Sequence, residues 1–279
     1  MDNLAPMNIL VTLDANYLFC LNTMLSSLLY SNPGRFFRVY VLHSSIAESQ
    51  VAVTRQILGG RGELILLRAD EAGLEDAPTT ARYPKEIYYR IFAARYLPAS
   101  LDRVLYLDPD IIVNGRLDEL YTLPMEHYYF AAASHVGEFL SRLNQHRLDM
   151  GDNDPYINSG VMLMNLALLR AEQDEEAVFR FMREHKKALL LPDQDVISGL
   201  YGSRICPLDP FRYNMTERLY ARHAPFEKEL SLSWVRSNAV IIHYCGRNKP
   251  WKDNYIGQLG VFYQETLARM KERPVPPAE

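Results

Sequence analysis

The sequence has 279 residues, 48% hydrophobic and 23% charged, which are the proportions of a folded globular protein and exclude a disordered chain. Its 34 acidic and 30 basic side chains give a formal net charge of -4 with no run of lysine and arginine, so charge excludes nucleic acid as an expected partner. Three scattered cysteines argue against a disulfide framework, and a polar N-terminus argues against a signal peptide. No apolar run reaches the length of about 18 residues that a membrane span needs. We therefore expect a cytoplasmic protein without stable membrane insertion.

The first part of the chain alternates between two hydrophobic patterns, short apolar runs and helical spacing. The predicted elements are strands at 8–13, 37–42 and 63–67 and helices at 18–29 and 46–58. Pro33-Gly34 and Gly59-Gly60 end the two helices. This β-α-β-α-β order predicts a parallel sheet covered by helices, with a ligand site beyond the carboxyl ends of the strands.

The remaining elements continue this α/β pattern. The predicted strands are 103–107, 111–113, 128–133, 157–165 and 239–243, and the predicted helices are 86–96, 166 to about 187, and one that begins at 193. Residues 135–155 are polar without a clear period, which predicts an irregular lid or binding loop. A loop containing Pro78 and Pro84 and a frayed Pro-rich tail at 274–279 are also expected. Without repeats or linkers, we predict one domain over 1–279, with a core at about 7–252 followed by a C-terminal helix.

Two carboxylates follow the predicted strand 103–107 directly, in Asp108-Pro109-Asp110. Beside an apolar core they would repel each other and resist desolvation, and a divalent cation would relieve both costs. A turn in which both side chains accept local hydrogen bonds is the alternative. His243 ends the predicted strand 239–243 and is the candidate third ligand, although a strand-end histidine is often only hydrogen-bonded. Two carboxylates with an imidazole suit Mn²⁺, and Mg²⁺ is possible.

The loop after His243 offers features that suit an anionic ligand. Gly246 permits close approach of the backbone, and Arg247 and Lys249 can place positive charge on an anion. Together with the carboxylates and the imidazole, they predict a site for a metal-bound diphosphate. Cys245 is interpreted as a packing residue.

Three further segments carry candidate polar groups. Asp14-Ala-Asn16-Tyr17 follows the first strand, where it could contact a base or ribose, or cap a helix; no Gly-rich phosphate motif accompanies it. Asp193-Gln194-Asp195 opens a helix, where acidic residues also suit the helix dipole. Asn158-Ser-Gly160 suggests a bulge or a close approach by a ligand.

In this order, the segments resemble glycosyltransferase family 8, the retaining sugar-nucleotide transferases of the GT-A fold. The family includes bacterial lipopolysaccharide galactosyltransferases and glucosyltransferases, and glycogenin. The matching stretches are Asp14-Ala-Asn16-Tyr17, Tyr-Tyr-Arg90-Ile-Phe, Val-Leu-Tyr-Leu-Asp108-Pro-Asp110, Asn158-Ser-Gly-Val, Asp193-Gln194-Asp195 and His243-Tyr-Cys-Gly246-Arg-Asn-Lys249-Pro-Trp251. The resemblance implies a Rossmann-like, mixed and mostly parallel sheet with helices on both faces.

The resemblance also implies roles for individual residues. Asp108, Asp110 and His243 would hold Mn²⁺, and Gly246 and Lys249 would contact the diphosphate. The uridine pocket would be lined by Thr12, Asp14, Asn16 and Tyr17. The donor sugar would be surrounded by Arg90, Asn158, Asp193 and Gln194, with Asp193 and Gln194 as the catalytic pair.

The function predicted from this resemblance is transfer of a hexose, galactose or glucose, from a UDP-sugar to a carbohydrate or lipid-linked glycan, with residues 135–155 as a lid. A sugar-1-phosphate nucleotidyltransferase is an alternative, although that class normally has a Gly-rich, basic loop after the first strand. The other alternative is a non-catalytic UDP-sugar-binding or stress protein. The sequence leaves the donor hexose, the acceptor and the oligomeric state open.

Overall fold

The computed structural model describes residues 5–70, 74, 77 and 85–272, so the predicted Pro78 and Pro84 loop positions and the tail at 274–279 lie outside the described residues. The strands are β1 Met7–Thr12, β2 Phe37–His43, β3 Gly62–Arg68, β4 Arg103–Leu107, β5 Ile111–Val113, β6 Phe130–Ala133, β7 Val161–Asn165, β8 Ile205–Leu208 and β9 Ile241–His243. The α-helices are α1 Leu18–Ser31, α2 Ala52–Leu58, α3 Glu86–Tyr89, α4 Ala93–Tyr96, α5 Asp118–Tyr121, α6 Glu138–Arg147, α7 Leu166–Glu172, α8 Glu175–Glu184, α9 Pro192–Tyr201, α10 Pro210–Tyr213, α11 Glu217–His223, α12 Leu232–Asn238 and α13 Gly260–Glu272. Among these residues, every helix is too short or too polar to traverse a lipid bilayer.

The main sheet has the strand order β3-β2-β1-β4-β7-β6-β8 within the described part of the chain. The strands from β3 to β4 are parallel, β7 runs antiparallel to both of its neighbours, and β8 pairs parallel with β6. The mixed, mostly parallel sheet expected from the sequence is confirmed.

Apolar side chains on both faces of this sheet explain why its strands are continuous hydrophobic runs. In β1, Ile9 and Val11 pack in one cluster with α1 and α2, while Leu10 belongs to a second cluster with α3, α4 and α9. A strand covered by helices on both faces has no solvent side, so the alternation of apolar and polar residues is lost. The predicted helical layers on both faces are therefore present.

A second, two-stranded sheet holds the last strand away from the parallel strands. β9 pairs antiparallel with β5, with Ile111 opposite His243. His243 ends a strand as predicted, but that strand lies outside the parallel sheet, because β9 joins the short strand that follows Asp110. This pairing fixes the imidazole beside the β4–β5 turn, which carries both carboxylates.

Several predicted elements differ in extent from those observed. The predicted helix 86–96 is interrupted by a 3-10 turn at Arg90–Phe92. The predicted helix after 165 is two helices, and the Asp174 side chain caps the second by accepting from Glu176 N. The sequence pattern does not predict strand β8, because Pro207 obscures it; Pro is tolerated here since β8 lies at the sheet edge.

The predicted irregular loop at 135–155 is also wrong in part, because it contains helix α6. None of the residues of α6 is buried. Its three apolar side chains stand among seven polar residues, which is too weak a pattern to predict a helix from the sequence. These side chains, Phe139, Leu140 and Leu143, are exposed.

Candidate functional site

A cavity of about 960 Å³ lies at the carboxyl ends of β1 and β4, between the main sheet and the small one. It is lined by all but one of the predicted site residues: Thr12, Asp14, Tyr17, Arg90, Asp108, Asp110, Asn158, Asp193, Gln194, His243, Gly246 and Lys249. Asn16 is the exception; it is exposed, and its side chain bonds to Asp14. Segments remote in sequence thus converge on one space.

Three predicted metal ligands lie together in this cavity. His243 Nε2 is 3.2 Å from Asp110 Oδ1 and 3.6 Å from Asp108 Oδ2, and one ligand atom from each residue lies within 4.8 Å of the others. Among the described residues, Asp110 Oδ1 and His243 Nε2 are buried and have no hydrogen-bond partner. Such atoms cost free energy unless something coordinates them. A divalent cation fits this donor set, because it would satisfy both atoms at once.

The second imidazole nitrogen of His243 is fixed by Asn214, which the sequence did not reveal. Nδ1 lies 2.9 Å from Asn214 Oδ1, and Asn214 Nδ2 donates to Asn158 Oδ1 at 3.0 Å. Because the Asn214 amide oxygen can only accept, Nδ1 carries the proton and the Nε2 lone pair is free for a metal. Asn214 is fully buried. No sequence pattern pointed to it, because its role depends on contacts with two remote segments.

Arg90 joins the metal ligands to the predicted sugar residues. Its Nη1 lies 3.0 Å from Asp108 Oδ1 and 3.2 Å from Asp193 Oδ2, and its guanidinium stacks 4.5 Å above the Tyr106 ring. Asp193 also accepts a hydrogen bond from Ser159 Oγ at 2.8 Å. Burial raises the pKa of Asp193, and the charge of Arg90 and this hydrogen bond offset the rise only in part. Arg90 therefore holds two carboxylates in fixed positions at the cavity floor.

Lys249 forms an ion pair with Asp110 on the other side of the site. Its Nζ contacts Asp110 Oδ2 and donates to Tyr244 O at 2.9 Å. Burial alone would raise the pKa of Asp110, but the charge of Lys249 outweighs it and holds the pKa well below its ordinary value. In the loop between His243 and Lys249, Gly246 adopts a φ of +89°. This left-handed conformation favours glycine and lets the loop turn back over the cavity.

Gly160 packs directly against the metal ligands. A Cβ atom at this position would overlap His243 Cε1 and lie 2.7 Å from Asp108 Oδ2. The close approach suggested by the sequence is therefore made by two ligand side chains of the protein itself.

We expect Gly160→Ala to weaken Mn²⁺ binding about tenfold or more. The new methyl group forces His243 and Asp108 to move, and a displacement of about 1 Å from the productive geometry is enough for a loss of that size. Calorimetric titration with Mn²⁺ measures the effect. Gly60→Ala is the matched control, since nothing lies within 4 Å of the position that its new methyl group would take, and it should bind Mn²⁺ as the parent does. Equal affinity in both variants would contradict the steric argument.

The structure decides three interpretations of single residues, and one of them is wrong. Asp14 caps the turn that begins at Ala15, accepting from Asn16 N at 2.8 Å, so capping and lining the cavity coexist. Cys245 is exposed and lines the cavity, so its interpretation as a packing residue is wrong. Asp195 is fully buried, bonds to Arg147 and Tyr156, and does not itself line the cavity.

Comparison with known proteins adds independent findings. The model of the family described as "Glycosyl transferase family 8" matches residues 8–255. A lipopolysaccharide 1,2-glucosyltransferase of Escherichia coli is 28% identical over 91% of this chain and 75% of its own length. General stress protein A of Bacillus subtilis is 27% identical over 89% of this chain and 88% of its own. Among solved structures, galactosyltransferase LgtC in complex with donor and acceptor sugar analogues has a TM-score of 0.81 at 24% identity and covers 98% of both chains.

Proposed function

The chain belongs to glycosyl transferase family 8, and on that premise we propose that it moves a galactose or glucose from a UDP-sugar to a hydroxyl group of a glycan acceptor. The resemblance stated from the sequence and the GT-A fold are both confirmed, and the protein is a hexosyltransferase of the retaining class. The match over residues 8–255 supports the proposal that 1–279 is one catalytic domain. A cytoplasmic location stays a prediction.

The observation that supports this function most directly is the Asp108–Asp110–His243 group, which holds two buried atoms without a hydrogen-bond partner among the described residues. We propose that these residues hold Mn²⁺, with Mg²⁺ as the alternative. Carboxylate and imidazole ligands suit either of these two ions better than they suit a soft metal ion. A divalent ion bound there supplies Lewis acidity toward a departing diphosphate. Lys249 adds a further positive charge beside it.

We assign the remaining cavity residues by their positions around that centre. Thr12, Asp14 and Tyr17 at the end of β1 form the proposed uridine side, and Asn16 remains a prediction because it does not line the cavity. Gly246 in the loop after β9 is placed to meet the diphosphate. Arg90, Asn158, Asp193 and Gln194 form the sugar side.

Gln194 is the proposed group nearest the reacting face of the sugar. Its Oε1 accepts from Asn158 Nδ2 at 3.2 Å, which fixes the amide. An amide is a poor nucleophile, whereas hydrolytic retaining enzymes use a carboxylate. Arg90 and Ser159 both bind Asp193 Oδ2, which ties this carboxylate to the cavity floor. We therefore propose attack by the acceptor hydroxyl on the face that the diphosphate leaves: the bond between the sugar and UDP breaks as the new glycosidic bond forms, and the hydroxyl proton passes to the departing diphosphate.

The proposal is tested by screening UDP-sugars for release of UDP in Mn²⁺ with no acceptor added. We expect UDP-galactose or UDP-glucose to be hydrolysed slowly, EDTA to stop the reaction and added Mn²⁺ to restore it. Binding of UDP-sugars without turnover, even across an acceptor panel, would favour the non-catalytic binder. Release of pyrophosphate from a nucleoside triphosphate would favour the nucleotidyltransferase. Turnover that EDTA leaves undiminished would contradict the metal role.

The names of the relatives bear on the acceptor. Several relatives are named as lipopolysaccharide glucosyltransferases or galactosyltransferases, among them a 1,3-galactosyltransferase of Salmonella typhimurium that is 25% identical over 88% of this chain. These names support a carbohydrate or lipid-linked glycan as acceptor.

Helix α6 and its flanks at 135–155, which contribute His135, Val136 and Leu140 to the cavity wall, are proposed to close over the donor.

A further inference from the structure

Three arginines line the mouth of the cavity. The sequence singled out Arg247 as a contact for an anion, whereas Arg218 and Arg222 belong to none of the predicted sets of site residues. Arg218 and Arg222 lie four residues apart on one face of helix α11, and Arg247 lies in the loop after β9. All three are exposed. Within the part of the chain that the structure describes, none of the three has a carboxylate within salt-bridge distance. Neighbouring elements differ in this respect, since Arg212 and Arg236 pair with Glu119 and Glu265.

The acidic residue closest in sequence forms no ion pair with this arginine cluster among the described residues. The carboxylate of Glu217 accepts hydrogen bonds from the backbone N–H groups of Gln258 and Leu259, both at 2.9 Å, and from the hydroxyl of Tyr255. Like charges four residues apart on a helix are unfavourable for its stability. The cluster therefore carries a small cost to the fold and leaves three positive charges facing one cavity.

The proposed donor requires at most one of these three charges. In the buried layer, Arg90 pairs with both Asp108 and Asp193 and Lys249 pairs with Asp110, so three carboxylates face two cations. A divalent ion and one arginine of the cluster would balance this layer together with the two negative charges of a nucleoside diphosphate sugar. The other two arginines are then left for a second anionic group at the cavity mouth.

We infer that the acceptor is an anionic saccharide, whose phosphate or carboxylate is bound by Arg218 and Arg222 with Arg247 beside them. This inference rests on the proposed function and names the chemical class of its second substrate. A guanidinium group presents paired N–H donors that match the two oxygens of a phosphate or carboxylate. Two such groups on one helix face can hold the anion while its neighbouring hydroxyl groups extend toward the donor sugar.

The test measures binding of three matched probes to the protein saturated with UDP and Mn²⁺: methyl glucoside, methyl glucoside 6-phosphate and methyl glucuronide. We expect the charged probes to bind about ten- to a hundredfold more tightly than the neutral one, with a preference that shrinks as salt rises. The double variant Arg218→Gln/Arg222→Gln should lose most of this preference. Binding of the phosphate probe alone, or of the glucuronide alone, would identify which anion the cluster selects.

Arg180→Gln is the matched control, because Arg180 is exposed on α8 and does not line the cavity; this variant should bind all three probes as the parent does. Equal binding of charged and neutral probes, or a preference that survives in the double variant, would overturn the inference. So would a large loss of UDP affinity in the double variant, which would assign the arginines to the diphosphate. UDP release from UDP-sugars reports separately on the proposed function and would stand if the inference failed.

Discussion

Asp110→Asn is expected to reduce sugar transfer by about a thousandfold while leaving the protein folded. The substitution keeps the side-chain shape but removes the charge that faces His243 and Lys249. It also replaces one carboxylate oxygen with a group that cannot ligate a cation. Loss of a single group that stabilises transition-state charge typically costs about 10²–10³ in rate, and weaker metal binding adds to that loss. UDP release in saturating donor and increasing Mn²⁺ measures both effects.

Two further variants separate the metal role from a loss of folding. Asp253→Asn is the exposed control for the same chemical change and should transfer sugar at the parental rate. In Asp110→Asn, the buried Lys249 ammonium loses its carboxylate, which alone destabilises the fold. Adding Lys249→Met should therefore restore the unfolding temperature without restoring transfer. Parental activity in Asp110→Asn, or recovery of activity in the double variant, would refute the metal centre.

The parts of the site that could be predicted from sequence are those that follow strand ends. Asp108-Pro109-Asp110 directly follows a continuous apolar strand, and the ends of parallel strands meet at one edge of a sheet. The chain order of such elements constrains where their side chains lie. Local pattern and topology together therefore place the carboxylates and the residues at the end of β1 in one cavity.

The remaining parts depend on contacts that no local pattern encodes. Asn214 matters because its amide links His243 to Asn158, two residues 29 and 56 positions away. Strand β9 pairs with β5 rather than with the main sheet, and a three-residue apolar run carries no information about its partner. Helix α6 has no buried residue and only three apolar residues among its ten, so the hydrophobic pattern on which helix prediction rests is weak there.

Helix α6 is instead held by charge at its end. Arg147, its last residue, donates to Asp195 Oδ2 at 2.9 Å and to Asp195 Oδ1 at 2.8 Å. Asp195 lies on α9, one residue from Gln194, and is fully buried. The proposed lid and the helix that carries the proposed catalytic pair are thus joined by one buried ion pair.

Asp195→Asn is expected to lower the free energy of unfolding by about 3–5 kcal/mol, the range found when a buried ion pair loses one charge. Every partner of this carboxylate is a donor: Arg147, the Tyr156 hydroxyl at 2.6 Å, and the backbone N–H groups of Leu190 and Leu191 at 2.6 and 3.0 Å. An asparagine amide in either orientation turns an N–H toward donors. At least one buried group is then left without an acceptor.

Urea-induced unfolding measures this loss, and Glu176→Gln provides the control, because its ion pair with Arg183 is exposed on both sides and contributes little. Amide hydrogen exchange in α6 should also become faster in Asp195→Asn, since the anchor of this helix is weakened while its own hydrogen bonds are unchanged. A fall of less than about 1 kcal/mol, which is the scale of an exposed pair, would show that the remaining bonds of Arg147 hold α6 without the carboxylate. Faster exchange confined to α9 would likewise contradict the coupling, because it would place the loss in the helix that carries Asp193 and Gln194 and not in the lid.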